Sequence, residues 1–267
     1  YMLIKILTII LTTYLIALIF LFIFQRNFLY FPKENNYLTS EKINDENLEV
    51  YIANNQGHKL KSWFYYNQKN RFTILFFHGN AGQLENRIYK LNAFREIGLN
   101  YLIFSYRGFN SCDGSPSEKG IYNDAQSAYQ WLLSKGIPKN QIVFYGESLG
   151  TGVGVNMSIN NTSAGLILES PFTSITDLGK KKFPIFPISL ILKDRFDNES
   201  KFERLSVPLL VMHGNEDKIV PQNMSFRLTK LKKPTVTYFP ENDNHMMNFD
   251  NNLKFKIIEF IEYLNQI

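Results

Sequence analysis

Val143-Phe144-Tyr145-Gly146-Glu147-Ser148-Leu149-Gly150-Thr151-Gly152 joins two kinds of chain. Residues 141–145, rich in β-branched and aromatic side chains, read as a short buried strand. From Leu149 onward small residues dominate, and the chain reads as a helix. Between them, Gly146, Ser148 and Gly150 form the Gly-x-Ser-x-Gly pattern of a nucleophile elbow. That sharp strand-to-helix turn lifts one serine hydroxyl clear of the sheet edge in a strained backbone conformation. A side chain at Gly146 or Gly150 would collide with the neighbouring strand or helix. Ser148 then stands at a helix N-terminus, where backbone N–H groups favour developing negative charge. Five residues alone match often by chance; the strand before, the helix after and the partners downstream give the pattern its weight.

Outward from the elbow, strands alternate with helices. Leu48–Ala53 and residues 59–66 read as strands joined by the turn Asn54-Asn55-Gln56-Gly57. Residues 72–77 form a continuous apolar run, as expected of a central parallel strand, and end in His78-Gly79-Asn80-Ala81-Gly82. A helix over 84–97, a strand over 101–106, a Gly/Ser/Asn/Asp loop over 107–116 and a helix over 118–135 follow. After the elbow come strands at 164–169, 207–213 and 235–239, with helices at Asn223–Leu231 and 249–264. No internal repeat or low-complexity tract interrupts them. This alternation predicts an α/β fold, a mostly parallel sheet with helices on both faces. Right-handed crossovers then gather the C-terminal strand ends on one edge.

Acyl transfer by a serine needs a base, a carboxylate to orient it and donors for the oxyanion. Of four histidines, His58 lies in the first hairpin, on the wrong side of the elbow, and reads as a surface residue. His78 and His213 sit at equivalent strand ends and read as buried residues that hold loops by hydrogen bonds. His245, after the last strand and before the closing helix, is the base candidate by elimination and position. For the acid, the loop after the preceding strand offers Glu216 and Asp217, and Asp217 is preferred. Asp243 is two residues from His245, too close in sequence to reach its far ring nitrogen. The order Ser148, Asp217, His245 is that of the α/β-hydrolases rather than of the chymotrypsin or subtilisin types. The oxyanion donors expected are the backbone N–H groups of Leu149 and Asn80.

The length of 267 residues suits one large domain. A net charge of +5 with scattered lysines gives little support to nucleic-acid binding. The single cysteine, Cys112, excludes an internal disulfide framework and reads as a passenger thiol. Residues 6–24 carry no charge, with only Thr8, Thr12 and Thr13 among aliphatic and aromatic residues. At about 1.5 Å per residue that run nearly spans a ~30 Å hydrocarbon core. It lacks a small-residue cleavage site, so an uncleaved signal anchor is favoured over a cleaved signal peptide. Lys5 on one side stands against Arg26 and Lys33 on the other, and the short head favours an extracytoplasmic domain.

Beyond single residues, the Gly146–Gly150 elbow, His78-Gly79-Asn80-Ala81-Gly82, Tyr106-Arg107-Gly108-Phe109-Asn110-Ser111, Gly114-Ser115-Pro116-Ser117-Glu118 and the His213-Gly214…Asp217…Val220-Pro221 loop resemble one family as a set. They are similar to the α/β-hydrolase-domain serine hydrolases, in the membrane-anchored branch that includes protein depalmitoylases. The resemblance runs from about Phe28 to the C-terminus. It implies a Ser148–Asp217–His245 triad, no metal, no cofactor, and an ester, thioester or amide substrate. In that family the base usually follows a glycine; here Asn244 precedes it and Met246-Met247 follow.

The expected organisation is an anchor over 1–25, a juxtamembrane connector over 26–47 and a hydrolase domain over 48–267, with a cap insert at about 172–204. Lys180-Lys181-Lys182 precede the apolar run 183–192 in that insert. A basic cluster beside apolar residues suits docking on an anionic membrane face; a lid whose apolar side merely covers the pocket is the plainer reading. The function expected is an esterase or thioesterase acting on a lipid or an acylated protein at a membrane. A serine peptidase and a catalytically silent binding module of the same fold are the alternatives. Nothing in the sequence sets an oligomeric state.

Overall fold

Runs of β-branched and aromatic residues bounded by turns pair into a single sheet because each exposes backbone groups that only a neighbouring strand can satisfy. In the computed structural model, residues 1–32 and 46–267 are described; Lys33 and the rest of the expected connector up to residue 45 lie outside them. The strands are β1 Leu48–Ala53, β2 Lys59–Tyr65, β3 Thr73–Phe77, β4 Asn100–Phe104, β5 Ile142–Glu147, β6 Gly165–Glu169, β7 Leu209–Met212 and β8 Val236–Tyr238. Their order is β1-β2-β4-β3-β5-β6-β7-β8. β1, β2 and β4 pair antiparallel, and every pairing from β4 through β3 to β8 is parallel.

The period-two alternation of strands sends successive side chains to opposite faces. Leu75 and Phe77 of β3 and Phe144 of β5 join the apolar layer on one face. Ile74, Phe76, Val143 and Tyr145 join the layer on the other. The helices that cover these layers are α2 Ile88–Glu96, α3 Glu118–Ser134, α4 Leu149–Asn160, α8 Asn223–Leu231 and α9 Asn251–Gln266. Both faces being covered is why the central strands read as unbroken apolar runs.

Between β6 and β7 the chain leaves the sheet and forms three short helices, α5 Ile175–Lys182, α6 Ile188–Ile191 and α7 Glu199–Phe202. Ser174 caps α5, its hydroxyl accepting from the Asp177 N–H at 3.0 Å. At the other end of the chain, α1 Met2–Phe24 is long and apolar enough to cross a membrane. Its residues are mostly exposed, yet Tyr14, Ala17, Leu18 and Leu21 are half-covered. That spacing is one helical face, and it lies against the loop between α5 and α6: the Tyr14 hydroxyl donates to Ile185 O at 3.0 Å, and its ring stacks on Phe186.

Candidate active site

At the end of β5 the chain turns directly into α4 through Ser148, which has φ 51° and ψ −115°. A serine held at positive φ carries backbone strain, sustained because the surroundings over-determine the turn. The Ser148 N–H donates to Glu169 O at 2.9 Å, fixing the turn to β6. A Cβ on Gly150 would stand 1.9 Å from Phe77 O, and one on Gly146 would stand 2.5 Å from Gly150 O. Only glycine lets strand and helix approach this closely.

The structure brings Ser148, Asp217 and His245 together from the ends of three strands. His245 Nε2 is 2.9 Å from Ser148 Oγ. His245 Nδ1 is 2.6 Å from Asp217 Oδ2. Asp217 Oδ1 accepts the N–H groups of Ile219 and Val220, each at 2.8 Å, which holds the carboxylate in one orientation. His213 Nε2 also reaches Asp217 Oδ2, at 2.9 Å, and His213 Nδ1 lies 2.6 Å from Ser225 Oγ. His213 is buried and ties its loop as the sequence suggests, but its grip on Asp217 is a role that the sequence gives no sign of. Burial alone would raise the Asp217 pKa; the hydrogen bonds from His213 and His245 outweigh it and hold the carboxyl below the usual range.

The competing residues lie elsewhere. Asp243 uses its carboxylate on the N–H groups of Asn248 and Asn244. Glu216 is exposed. His58 packs beside Gly114, and its Nδ1 lies 3.5 Å from Asn54 Nδ2. His78 is buried, with Nδ1 2.7 Å from Gly79 O, and accepts at Nε2 from the Tyr106 N–H at 3.4 Å. Burial and the nearby Arg87 charge push its pKa down to about 3, so its ring is neutral.

The loop from His78 to Gly82 is tied from two directions. From inside, Glu147 Oε1 accepts the Gly79 N–H at 3.1 Å. Glu147 is itself paired with Arg87 at 2.6 Å and with Lys90 at 2.6 Å. Lys90 also meets Glu169 at 2.7 Å, and Tyr145 hydroxyl donates to Glu169. All of these charged side chains are buried. Burial works against the charge on Lys90, but the two carboxylates prevail and raise its pKa. Glu147, also penalised by burial, is held well below the usual range by Arg87 and Lys90. From outside, Phe31 pairs with Ala81: the Phe31 N–H donates to Asn80 O at 2.8 Å, and Asn80 Nδ2 donates to Leu29 O at 2.7 Å.

No protein-family model matches the chain. Over 222 residues it is 32% identical to protein bem46 of Schizosaccharomyces pombe, covering 78% of this chain and 74% of that one. It is 26% identical over 242 residues to the alpha/beta hydrolase domain-containing protein WAV2 of Arabidopsis thaliana, covering 80% of this chain and 79% of that one. The chain belongs to the α/β-hydrolase family. The lysophosphatidylserine lipase ABHD12 of Danio rerio is 33% identical over 184 residues, 61% of this chain and 48% of that one, so the hydrolase spans about half of that relative. Esterase Pf2001 of Pyrococcus furiosus superposes with a TM-score of 0.71 over 88% of this chain and 99% of that one, at 19% identity, a likeness of fold.

In the hydrolase a cavity of about 160 Å³ opens beside Ser148. Asn80, Ser148 and Leu149 are among the residues that line it. The first backbone N–H groups of α4 have no partner within the helix, so Leu149 brings a main-chain donor to the cavity beside Ser148. Phe172, Ile175, Leu178 and Ile188 line it from the α5–α6 region, and Leu21, Gln25 and Phe28 line it from the N-terminal segment. A mostly apolar cavity lined also by Ser148 suits an acyl group whose carbonyl lies at the serine. Among the described residues, no group of three or more His, Cys, Asp or Glu is arranged to hold a metal ion.

Proposed function

We propose that this hydrolase is membrane-anchored and releases a fatty acyl group from a lipid ester through an acyl-enzyme on Ser148. His245 Nε2 takes the Ser148 proton as Oγ attacks the acyl carbonyl, and Asp217 holds the imidazole in the required tautomer and steadies its charge. The N–H groups of Leu149 and Asn80 receive the oxyanion, and each such donor is worth ~10²–10³ in turnover. His245 then gives its proton to the leaving oxygen, which departs as the alcohol. A water, deprotonated by His245, attacks the acyl-enzyme; the fatty acid leaves and Ser148 Oγ regains its proton. A thioester of an acylated protein would pass through the same acyl-enzyme with a thiol leaving.

The observation that carries this reading is the mostly apolar cavity lined by Ser148. A lipid substrate is further favoured by the likeness to a relative named as a lysophosphatidylserine lipase. A peptidase would instead need polar partners for an extended backbone along its site, and this cavity is mostly apolar. In this reading residues 1–25 anchor the chain, 26–47 connect it, and 48–267 form the catalytic domain with a cap at 172–204, on the extracytoplasmic side. Protease protection of sealed vesicles decides the side.

The test is release of fatty acid from monoacyl phospholipids, and of acyl groups from an S-acylated peptide, by the full chain in vesicles. Release that disappears in Ser148→Ala supports the proposal. Cleavage of amide substrates without acyl release would favour a peptidase, and no turnover of any substrate would favour a silent binding module.

A further inference from the structure

The end of α1 does more than hold the domain near a surface; it closes one side of the cavity that reaches Ser148. Leu21 of α1 and, in the 3₁₀ turn Gln25–Phe28 that continues it, Gln25 and Phe28 all line that cavity together with Ile188, Ile191 and Leu192 of the cap. The contact is built from polar ties as well as apolar ones. Gln25 Nε2 donates to Ile191 O at 3.1 Å, and Gln25 Oε1 accepts from the Lys193 N–H at 2.6 Å. One side-chain amide thus satisfies two backbone groups of the cap where α6 ends. Arg26 makes a two-pronged contact with Asp194, at 2.8 and 3.2 Å, and Asp194 in turn accepts from the Glu118 N–H at 3.1 Å. Just beyond, Leu29 and Phe31 are bonded to Asn80.

Depth supplies the identity of the occupant. Tyr14 touches Ile185 and Phe186 of the cap. At about 1.5 Å per residue, Tyr14 lies roughly 15 Å along the axis from Phe24, half of a ~30 Å hydrocarbon core. With α1 across a bilayer, the α5–α6 loop therefore dips beside it into one leaflet. Phe183, Pro184, Ile185, Phe186 and Pro187 have no charge, Ile185 is 71% exposed and Leu190 is 83% exposed. Lysines flank the dip at 180–182 and 193, and Lys193 Nζ lies 4.2 Å from the centre of the Phe22 ring. Long basic side chains at both ends of an apolar hairpin suit the leaflet boundary.

We propose that the membrane anchor is part of the acyl-binding site: an acyl chain of a bilayer lipid enters sideways from the leaflet between α1 and the cap, and Leu21, Gln25 and Phe28 set which chain lengths fit. This rests on Ser148 being the nucleophile. Filling the wall at one residue alters the space open to a long chain far more than that open to a short one. Full chains carrying Leu21→Trp, Leu21→Ala or Ile23→Trp are reconstituted in vesicles, and kcat/KM is measured for butyryl and dodecanoyl esters. Ile23 is on the same helix but 59% exposed, away from the cavity. The expected result is a fall of about ten-fold or more in the dodecanoyl-to-butyryl ratio for Leu21→Trp. Leu21→Ala shifts preference toward longer chains, and Ile23→Trp keeps the wild-type ratio. An unchanged ratio in both Leu21 variants overturns the proposal, as does an equal shift in Ile23→Trp. Ester turnover that survives Ser148→Ala would instead overturn the reading of the nucleophile, a separate outcome seen in a separate variant.

Discussion

Glu147 holds Gly79: its Oε1 accepts the Gly79 N–H at 3.1 Å, so the residue before Ser148 steadies the loop that brings Asn80 to the cavity. The same carboxylate is neutralised by Arg87 and Lys90 with almost no solvent present. One buried ion network therefore ties the elbow, the loop after β3 and α2 into a unit.

Lys90 offers the most direct test, because removing it leaves Glu147 paired with Arg87 alone and removes the ion pair of Glu169. Breaking such a pair on one side costs about 3–5 kcal/mol, since the remaining charge stays buried. Lys90→Met is expected to lower unfolding stability by about that amount in urea titrations. A loss below about 1 kcal/mol would mean that the network is solvated.

Asp217 and His213 predict a graded series. Asp217→Asn should reduce kcat about 10⁴-fold, because the amide favours the wrong His245 tautomer. His213→Asn removes one of the two imidazoles that reach Asp217 Oδ2. A charge-assisted hydrogen bond lost in this way predicts a fall in kcat of about ten- to a hundred-fold with KM little changed. Equal losses in both variants would mean that His213 acts on the fold rather than through Asp217.

His78 predicts how stability depends on pH. In the unfolded chain it takes a proton near its ordinary value of 6.5, whereas in the fold its pKa is pushed down to about 3. Its contribution is complete above pH 6.5 and declines as pH falls toward 3, because the unfolded state binds the proton first. Asp217 and Glu147 are held below the usual carboxylate range, so the stability that they add starts to fall below the ordinary values of 3.8 and 4.5, inside the His78 window, and goes on falling beneath it. In urea titrations below pH 6.5, His78→Asn should lose stability less steeply than wild type. Parallel slopes would contradict this.

Ile185 tests the depth of the cap. A tryptophan placed there in the full chain should be quenched by lipids brominated midway along their acyl chains. Ile219, 64% exposed in the loop after β7 and outside the cap, is the comparison site and should not be quenched when replaced in the same way. Equal quenching at both would place neither selectively in the leaflet.

Much of the fold was legible because its signals are local. The unbroken apolar run before His78, the glycines flanking Ser148 and the strand–helix alternation each point to a covered parallel sheet. The order Ser148, Asp217, His245 could be read because right-handed crossovers carry successive strand ends to one edge. The contact of α1 with the cap was not legible. The face that packs, Tyr14, Ala17, Leu18 and Leu21, is as apolar as the faces that do not, so no period separates them. Lys90 was equally silent: in α2 it looks like a solvated charge, and only the ends of β5 and β6, on the face that α2 covers, supply Glu147 and Glu169. The cap reads from sequence as a connection without a strand; of its three short helices α5 has a side-chain cap, from Ser174, and the end of α6 is tied to Gln25, far away in sequence.

The proposed role of Ser148 as an activated nucleophile is measured by labelling with a fluorophosphonate probe. Full chain in vesicles is treated with the probe beside Ser148→Ala and His245→Ala. Labelling of wild type that is absent from Ser148→Ala and greatly slowed in His245→Ala is the predicted result. Labelling that persists in Ser148→Ala, or a well-folded wild type that never labels, would contradict the account.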